Sequence, residues 1–441
     1  MSLPTLDTVQ KLQTVLHAKA KEELQFRFYA LYDKIYRKDV LWVAWRRCLS
    51  NQGVAGTDSQ SFEDIAAYGV TKWLEELTEE LRSKTYQPQS VRRIYIPKSD
   101  GKQRPLGIPT IKDRVVQTAL LIVLEPIFEA DLQPEQFAYR ANRSALDAVQ
   151  AVHHLLATGH TEVVDADLSG YFDSIPHAEL MQCVARRISD KAVLHLIKLW
   201  MVAPVEERDA RGRVQRTTRN KNDGRGTPQG APISPLLANL YMRRFVLGWK
   251  TLGHEQKLEA HIVNYADDFV ICCRGTAHQA AAVMRSMMDR LKLTVNETKT
   301  HVCQLPQETF DFLGYTFGRC YSPRSGRAYL GTFPARKKVR ALCESVGTLT
   351  GRKTLWLEPA ELVGRLNCRL VGWANYFRLG PVSKAYRAVD TYVTNRLRRW
   401  LCEKHKLPGR GFARFPDSYL THQLGLVRLP QRTRNFPWAN A

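Results

Sequence analysis

The chain has 441 residues, with 65 lysines and arginines against 43 acidic residues, and its net charge is +22 at pH 7. Its hydrophobic content of 44% is typical of a folded protein with roughly two or three domains, and its charge predicts a polyanionic partner, nucleic acid before an acidic membrane surface. The longest apolar run, residues 118–126, is too short to span a membrane, and the N-terminus lacks the pattern of a signal peptide. The nine cysteines have no CxxC spacing and predict reduced thiols in a cytosolic protein, not a zinc site.

The first part of the chain is predicted to be helical. Apolar residues recur at helical spacing among charged ones over residues 1 to about 50, which predicts a basic helical region. Residues 51–58 are rich in Gly and Asn and predict a loop. A further helix is predicted over residues 71–82, because four large apolar side chains share one face there: Trp73, Leu74, Leu77 and Leu81.

A basic hairpin is predicted next. Residues 91–97 alternate like a strand, and a turn with Lys98 and Arg104 leads into residues 106–109. Lysine and arginine on backbone that hairpin bonding holds still suit phosphate binding, although a solvated hairpin tip explains the same pattern equally well. A buried helix is predicted over residues 114–128.

Two acidic stretches carry the strongest chemical signal in the sequence. In the first, residues 165–173, aspartates follow a strand of β-branched residues. In the second, residues 261–271, apolar arms flank Asp267 and Asp268 and predict a β-hairpin with an acidic pair at its tip. Adjacent carboxylates repel each other unless a divalent cation joins them, and rigidly held carboxylates suit Mg²⁺.

A solvated turn is the ordinary explanation for an Asp-Asp pair alone. If the two acidic stretches converge, however, they can hold two metal ions about 3.5–4 Å apart, which clamp the attacking and leaving oxygens of an in-line displacement. In a chain with a charge of +22, that chemistry predicts nucleotidyl transfer on a nucleic acid.

Turn-rich segments surround these stretches. Residues 226–240 predict a Gly/Pro loop that feeds a helix, and Gly226 and Gly230 are expected to let the backbone approach a ligand closely. Residues 291–300 and 310–317 predict two further strand-and-turn units.

After residue 320 the chain becomes basic and helical. Residues 361–377 and 383–405 predict amphipathic helices, in which the aromatic side chains form a core and the arginines, Arg398 among them, contact RNA. The candidate RNA contacts of this part are Arg336, Lys337, Lys338, Arg369, Arg378 and Arg396.

Several motifs together resemble one family. Residues 265–268, Tyr-Ala-Asp-Asp, resemble the polymerase signature of reverse transcriptases. Residues 165–177 and 226–235 resemble the type that bacterial group II introns encode, the maturase–reverse transcriptases. The resemblance covers nearly the whole chain, and the remaining motifs occur in the family's order: residues 51–58, the basic hairpin at 91–109, the segment of Lys299, residues 312–315, and residues 370–378 in the maturase or thumb domain.

The resemblance implies an α+β right-hand polymerase fold, in which fingers and a palm with an antiparallel sheet precede a helical thumb or maturase domain (domain X). It also implies three parts: an N-terminal helical extension with the start of the fingers at residues 1–85, fingers and palm at 86–320, and the helical module at 321–441.

Carried onto this sequence, the resemblance implies metal ligands and a nucleotide pocket. Asp167 and Asp267 would be the main ligands of two Mg²⁺ ions, which Mn²⁺ can replace, with help from the Leu168 carbonyl and weaker assistance from Asp268. The other implied site residues are Phe172, as a steric gate against a ribose 2′-OH; Gln229, in the dNTP pocket; Lys98 and Arg104, on the triphosphate; Lys299, supporting the palm near the site; and Asp165 and Asp173, with structural roles.

The implied function is that of an RNA-directed DNA polymerase that copies RNA into cDNA and helps its intron RNA to splice and to retrohome. Its implied partners are intron RNA, an RNA template, a DNA primer and dNTPs, with no membrane. The implied location is the bacterial cytoplasm, at the nucleoid when the protein acts on DNA. A primer 3′-hydroxyl would attack the α-phosphorus without a covalent enzyme intermediate, so catalysis would consist mostly of positioning and electrostatics.

Two features of the sequence differ from the usual pattern of this family. Ala231, Pro232 and Ile233 replace the commoner Gly-Val-Ile after Pro-Gln-Gly, a change that we expect to be tolerated. No paired cysteines or histidines follow the helical module to build the HNH endonuclease that many members carry. Second-strand cleavage is therefore not expected, and the primer is expected to come from elsewhere, such as a nascent strand at a replication fork.

Two other functions remain open. A host-domesticated reverse transcriptase in defence or repair would have the same catalytic residues. An RNA chaperone with a vestigial polymerase would be expected to lack an aspartate or Gln229, and neither is missing. An RNA-dependent RNA polymerase is disfavoured by Tyr265 and Ala266 before the acidic pair and by Phe172.

Overall fold

The computed structural model describes residues 4–97, 103–209, 211, 213–228, 230–322 and 325–432. The N-terminal region is helical, as predicted. The helix predicted over residues 71–82 begins one residue earlier, and its predicted apolar side chains are all buried. The helices of this region are α1 (Pro4–Glu22), α2 (Tyr32–Ile35), α3 (Lys38–Ser50), α4 (Phe62–Tyr68) and α5 (Val70–Arg82).

The predicted basic hairpin is present as far as the structure describes it. Strands β1 (Val91–Pro97) and β2 (Gln103–Ile108) pair antiparallel, with Pro97 opposite Gln103 at the end nearest the turn. The turn itself, with Lys98, lies outside the described residues. The hairpin therefore places Arg104 on a strand that is paired along its length.

Helix α6 (Ile111–Glu129) follows the hairpin and is buried along most of its length. It begins earlier than the predicted residue 114, because the Thr110 hydroxyl caps it by accepting a hydrogen bond from the Asp113 amide at 3.1 Å. The predicted loop at residues 51–58 packs against this helix start, where Arg114 donates to the Val54 carbonyl at 2.6 Å.

The middle of the chain alternates helices with the strands of two sheets. Strand β4 (Val205–Arg208) pairs parallel with β1 and, together with β5 (Val214–Thr217), extends the hairpin into a sheet of order β2-β1-β4-β5. The elements of this part are α7 (Ala145–Ala157), β3 (Glu162–Asp167), α8 (Tyr171–Ser174), α9 (His177–Ala185), α10 (Lys191–Met201), β4 (Val205–Arg208), β5 (Val214–Thr217), α11 (Arg219–Asp223), α12 (Ser234–Thr251), α13 (His254–Lys257), β6 (Ala260–Tyr265), β7 (Asp268–Cys273), α14 (Ala277–Arg290) and β8 (His301–Gln304).

An antiparallel sheet of order β6-β7-β3-β8 forms the palm, in agreement with the fold that the resemblance implied. Side chains alternate across a strand, so β3 divides its residues between two faces. Val164 and Ala166 pack into the main core with the helices. Val163 packs on the opposite face against the C-terminal part of the chain, and Asp165 and Asp167 share that face.

The strand predicted within residues 291–300 is wrong. This segment is rich in turns, meets Leu168 only through an isolated bridge, and the next strand begins at His301. The physical reason is that the segment turns on itself: the Lys299 and Thr300 amides donate to the Asn296 carbonyl at 3.0 and 2.9 Å, while the Asn296 amide donates to the Asp167 carbonyl at 2.8 Å. The segment therefore closes over the end of β3 instead of continuing the sheet.

The C-terminal part begins with a small antiparallel sheet and continues as helices. Both long helices predicted there are present, and none of the helices that the structure describes is long and apolar enough to cross a membrane. The elements are β9 (Phe310–Phe312), β10 (Tyr315–Tyr321), β11 (Ala328–Pro334), α15 (Arg336–Leu349), α16 (Pro359–Tyr376), α17 (Ser383–Lys404) and α18 (Leu429–Arg432).

The aromatic residues of these helices belong largely to the core, as predicted. Phe377, Tyr386 and Trp400 are buried, and the Tyr386 hydroxyl donates to the Ala374 carbonyl at 3.0 Å. The helical module has its own apolar cluster between α16 and α17. The domain boundaries predicted after residues 85 and 320 stay predictions.

Asp190→Ala is expected to destabilise the fold by about 2–4 kcal/mol. The Asp190 carboxylate caps α10 by accepting from the Ala192 amide at 3.0 Å, and it also accepts from the Leu31 and Tyr32 amides at 2.8 Å. Because Asp190 is only 8% exposed, alanine would leave these amides without a partner in a buried place. The denaturant midpoint measures the loss. Asp147→Ala, which removes only the exposed capping box of α7, is the control, and an equal loss in both variants would contradict the assignment.

Candidate active site

The two acidic stretches of the sequence meet at one end of the palm sheet. Strand β3 places Asp167 directly opposite Asp268 of β7, and β6 places Tyr265 opposite Asp268 from the other side. Asp267 lies in the two-residue turn between β6 and β7. The structure therefore brings Asp167, Asp267 and Asp268 together.

The tight turn that contains Asp267 is stabilised by a side chain of the preceding strand. Ala266 has a φ of 60°, in the left-handed region that short hairpin turns require. The buried Asn264 side chain donates to the Ala266 carbonyl at 2.8 Å and so closes the turn. This arrangement fixes the acidic pair without involving either carboxylate.

The carboxylates of the site repel each other. Burial first, and then the charges of Asp165, Asp267 and Asp167, raise the pKa of Asp268 to about 7. Burial raises the pKa of Asp165 to about 6, although His301 nearby lowers it. Burial and the Asp167 charge also raise the pKa of Asp267, against the lowering effect of Arg104 and Lys299. A cation between these groups would remove the repulsion.

Asp167 is positioned by two neighbours. Its Oδ2 atom accepts from Lys299 Nζ at 3.0 Å and from Asn296 Nδ2 at 3.1 Å. The lysine thus contacts a catalytic candidate directly, a sharper role than the predicted support of the palm. Sequence reasoning missed Asn296, whose approach to Asp167 depends on the turn that closes over β3.

The residues present fit a divalent cation that shares its ligands with a substrate. No group of three or more acidic, histidine or cysteine side chains among the described residues is arranged to hold a metal ion. Mg²⁺ does not need such a cage, because it commonly binds through one or two carboxylates and the phosphates of a substrate. Leu168, which was expected to contribute its carbonyl, is buried directly after β3.

A cavity of about 610 Å³ opens between the β1–β2 hairpin and the palm. The three aspartates are not among its lining residues, but two of those residues, Arg104 and Tyr139, interact electrostatically with Asp267, so the acidic pair lies near it. It brings the predicted Arg104 and Phe172 together, whereas Gln229, like Lys98, lies outside the described residues. Among the residues that line it are Arg47, Arg104, Leu106, Arg114, Tyr139, Phe172 and Gly230.

The two glycines of the loop before α12 have a packing role, and the expected approach of their backbone to a ligand stays a prediction. A Cβ at Gly230 would lie 2.6 Å from the Gly107 carbonyl oxygen. At Gly226 a Cβ would lie 3.2 Å from the Asp173 carbonyl oxygen. Both have positive φ. They therefore let the loop pack against the β1–β2 hairpin and against α8.

The predicted RNA contacts of the C-terminal part differ in their surroundings. Arg336, Lys337, Lys338, Arg369 and Arg378 are exposed, with Lys337 3.0 Å from the Asp311 carboxylate. The other candidate is Arg396, which is partly buried and donates to Thr350 Oγ1 at 2.9 Å and to the Gly347 carbonyl at 2.9 Å.

The expectation that Arg398 contacts RNA is wrong. Its side chain is buried, and it donates to the Phe415 carbonyl at 2.9 Å and to the Asp417 carboxylate. The guanidinium therefore ties α17 to the chain that follows it. A helical pattern of arginines does not distinguish this inward position from the exposed ones around it.

Asp268→Asn is expected to raise the free energy of unfolding without divalent cations, in a pH-dependent way. The folded-state pKa of Asp268, about 7, lies above the ordinary value of 3.8, so the folded wild type loses stability as the pH rises between these values. Asparagine cannot ionise. The gain should be small near pH 4 and complete above about pH 7.

Urea unfolding in a metal chelator at about pH 5 and about pH 8 measures this difference. Asp289→Asn, at an exposed aspartate near the end of α14, is the matched control and should stay near the wild type. A gain of the same size at both pH values, or no gain at the higher one, would contradict the raised pKa of Asp268.

Comparison with known proteins identifies the family of this chain. A family model described as reverse transcriptase (RNA-dependent DNA polymerase) matches residues 96–317, and one described as the group II intron maturase-specific domain matches residues 339–415. Protein YkfC of Escherichia coli is 32% identical over 77% of this chain and 96% of its own length. Group II intron-encoded protein LtrA of Lactococcus lactis is 27% identical over 71% of this chain and 60% of its own length.

A solved structure of apo telomerase from Candida tropicalis superposes on 59% of this chain and 60% of its own, with a TM-score of 0.41 and 12% identity. That similarity is too distant to add to the assignment. The family matches and YkfC are sufficient: the chain belongs to the reverse transcriptases, the RNA-directed DNA polymerases, and carries the maturase-specific domain of group II introns.

Proposed function

We propose that this reverse transcriptase copies RNA into cDNA by two-metal nucleotidyl transfer at Asp167, Asp267 and Asp268, and that it assists the splicing and retrohoming of a group II intron RNA. The observation that carries the proposal is the pairing of Asp167 with Asp268 across two strands, with Asp267 in the adjoining turn. The cavity with Arg104 and Phe172 lies beside this pair and gives a nucleotide a place to bind.

Asp167 and Asp267, together with the phosphates of the substrate, would hold two Mg²⁺ ions, which Mn²⁺ can replace, with weaker assistance from Asp268 and the Leu168 carbonyl. When bound, the ions supply positive charge to the attacking and leaving oxygens of the phosphoryl transfer. The carboxylates are fixed on paired strands and a closed turn, so they need little rearrangement when the substrate arrives. Lys299 and Asn296 hold the Asp167 carboxylate in its orientation.

The β1–β2 hairpin of the fingers and the palm would bind the nucleotide from two sides. Arg104 on β2 would contact the triphosphate, together with Lys98 in the adjoining turn. The Phe172 ring at the start of α8 would lie against the sugar, and Gln229 would complete the pocket. These residues select and orient the dNTP, while the carboxylates act at the reacting phosphorus.

Intron RNA would bind outside this cleft. The net charge of +22 and the exposed basic side chains Arg336, Lys338, Arg369 and Arg378 support binding to RNA phosphates. Such binding would supply much of the affinity and would weaken steeply as the salt concentration rises. The match of the maturase-specific domain to residues 339–415 supports the same assignment.

Two assays with the purified full-length protein test the proposal. The first extends a DNA primer on an RNA template with dNTPs and Mg²⁺, and the expected result is full-length cDNA. The second measures splicing of the intron that carries this reading frame, and the expected result is faster splicing with the protein at low Mg²⁺. Absence of cDNA would overturn the polymerase mechanism. Normal cDNA synthesis without any effect on splicing would overturn the maturase role and favour a host-domesticated enzyme.

A further inference from the structure

Tyr139 has an unusual position for a large aromatic residue. Its side chain is 52% exposed, and its φ of 54° lies in the left-handed region, which bulky residues rarely adopt. Backbone strain of this kind persists where the surrounding structure enforces it, and it concentrates at functional sites. Tyr139 also lines the cavity beside the acidic pair, with Arg104 and Phe172.

Hydrogen bonds of the two residues that flank Tyr139 hold its loop in place. Arg140 has a side chain only 5% exposed, and it donates to the Glu129 carboxylate at 2.6 Å and to the Gln136 carbonyl at 2.7 Å. On the other side of Tyr139, the Ala138 carbonyl accepts from the buried Asn239 side chain at 2.7 Å. Both neighbours of Tyr139 are therefore fixed inward, and its own side chain is left facing outward.

The same loop is joined directly to the strand that carries the acidic turn. Gln136 forms a parallel bridge with Asn264 of β6, and the Phe137 amide donates to the Asn264 carbonyl at 3.0 Å. Asn264 is the residue whose side chain closes the turn before Asp267. The position of Tyr139 is therefore set relative to the acidic pair by backbone hydrogen bonds and not by a flexible linker.

Tyr139 shares its cavity with Arg104 and is close enough to Asp267 to interact with it electrostatically. Partial burial first, and then the nearby charges of Asp267 and Tyr265, raise the pKa of Tyr139, while Arg104 lowers it. The hydroxyl has no hydrogen-bond partner within the part of the chain that the structure describes. A hydroxyl that lines the same cavity as Arg104 can donate to a phosphate bound by that arginine.

We propose that Tyr139 binds the incoming nucleotide, with its hydroxyl donating a hydrogen bond to the triphosphate between Arg104 and the acidic pair and its ring forming a wall of the cavity. This assignment rests on the proposed nucleotidyl transfer at Asp167, Asp267 and Asp268. It deepens that function by adding a residue that recognises the phosphates and not the base. Tyr139 thus acts on nucleotide binding and leaves the binding of primer and template unchanged.

Tyr139→Phe is the most direct test, because it removes the hydroxyl and keeps the ring. Hydrogen bonds to charged groups contribute about 1.5–3 kcal/mol, so the KM for each dNTP should rise roughly ten-fold in RNA-templated primer extension. The inhibition constant of pyrophosphate should rise with it, since pyrophosphate carries the phosphates without base or sugar. The Kd for primer–template and the thermal unfolding midpoint should stay at their wild-type values.

A second variant guards against a folding defect. Tyr139→Asn keeps a residue that tolerates the left-handed backbone and removes both hydroxyl and ring, so its KM should rise at least as far. Tyr68→Phe is the matched control, because Tyr68 is 48% exposed and its hydroxyl donates to Glu76 on the N-terminal helices at 2.6 Å. Its kinetics should equal those of the wild type.

Three outcomes separate the possible failures. An unchanged KM and pyrophosphate inhibition in Tyr139→Phe would overturn the assignment. A weaker Kd for primer–template with an unchanged dNTP KM would also overturn it and would place the side chain against a nucleic-acid strand. A wild-type protein that makes no cDNA would instead overturn the proposed nucleotidyl transfer itself.

Discussion

Asp267→Ala is expected to lower primer extension on an RNA template by more than about 100-fold, to the limit of detection. Asp267 is the one member of the acidic group that lies in the turn itself, between Tyr265 and Asp268, so no neighbouring carboxylate can take its position. Alanine removes a negative charge that would hold a cation at the reacting phosphorus. Steady-state primer extension with dNTPs measures the effect.

The fold of Asp267→Ala should be intact, because Asn264 and not Asp267 closes the turn. Its affinity for intron RNA should stay within a few-fold of the wild type, since phosphate contacts elsewhere supply that binding. Asp289→Ala, at an exposed aspartate of α14, is the matched control and should extend primers normally. Full polymerisation by Asp267→Ala would remove the metal assignment.

Phe172→Ala is expected to reduce the preference for dNTPs over NTPs by about ten-fold or more. The ring is half-buried at the start of α8 and lines the cavity. Its backbone is held by the Thr227 amide, which donates to the Phe172 carbonyl at 2.7 Å, so the ring extends from a fixed backbone position. The ratio of kcat/KM values for a dNTP and its NTP measures the preference.

Phe172→Tyr keeps a ring of the same width and is the control, with a preference close to that of the wild type. The change in Phe172→Ala should come from a gain in kcat/KM for NTPs rather than from a loss with dNTPs, because alanine removes an obstacle. An unchanged ratio would exclude Phe172 as the steric gate.

The acidic hairpin was predictable because its signal is local. Apolar residues on both sides of Asp267 and Asp268 favour paired strands, as observed. The pair was expected at the tip, but the turn consists of Ala266 and Asp267, and Asp268 belongs to β7. The long helices of the C-terminal part were predictable for the same reason, since their apolar residues recur at helical spacing.

The contacts between distant segments were not predictable. Asn296 reaches Asp167 across 129 residues of sequence, and no local pattern marks it. Tyr139 faces the cavity because Arg140 and Asn239 hold the residues beside it inward. Arg398 is buried although its helical neighbour Arg399 is exposed, because Asp417 and the Phe415 carbonyl meet it there. In each case a partner far along the chain decides the role of the residue.

The measurement that tests the central claim most directly is sequencing of the RNA that purifies with the protein from its native cell. One dominant, structured RNA that contains this reading frame is the expected result, since a maturase binds the intron that encodes it. A mixture of unrelated RNAs, or a distinct small RNA, would contradict the maturase role. That result would identify a host-domesticated reverse transcriptase with the same catalytic residues.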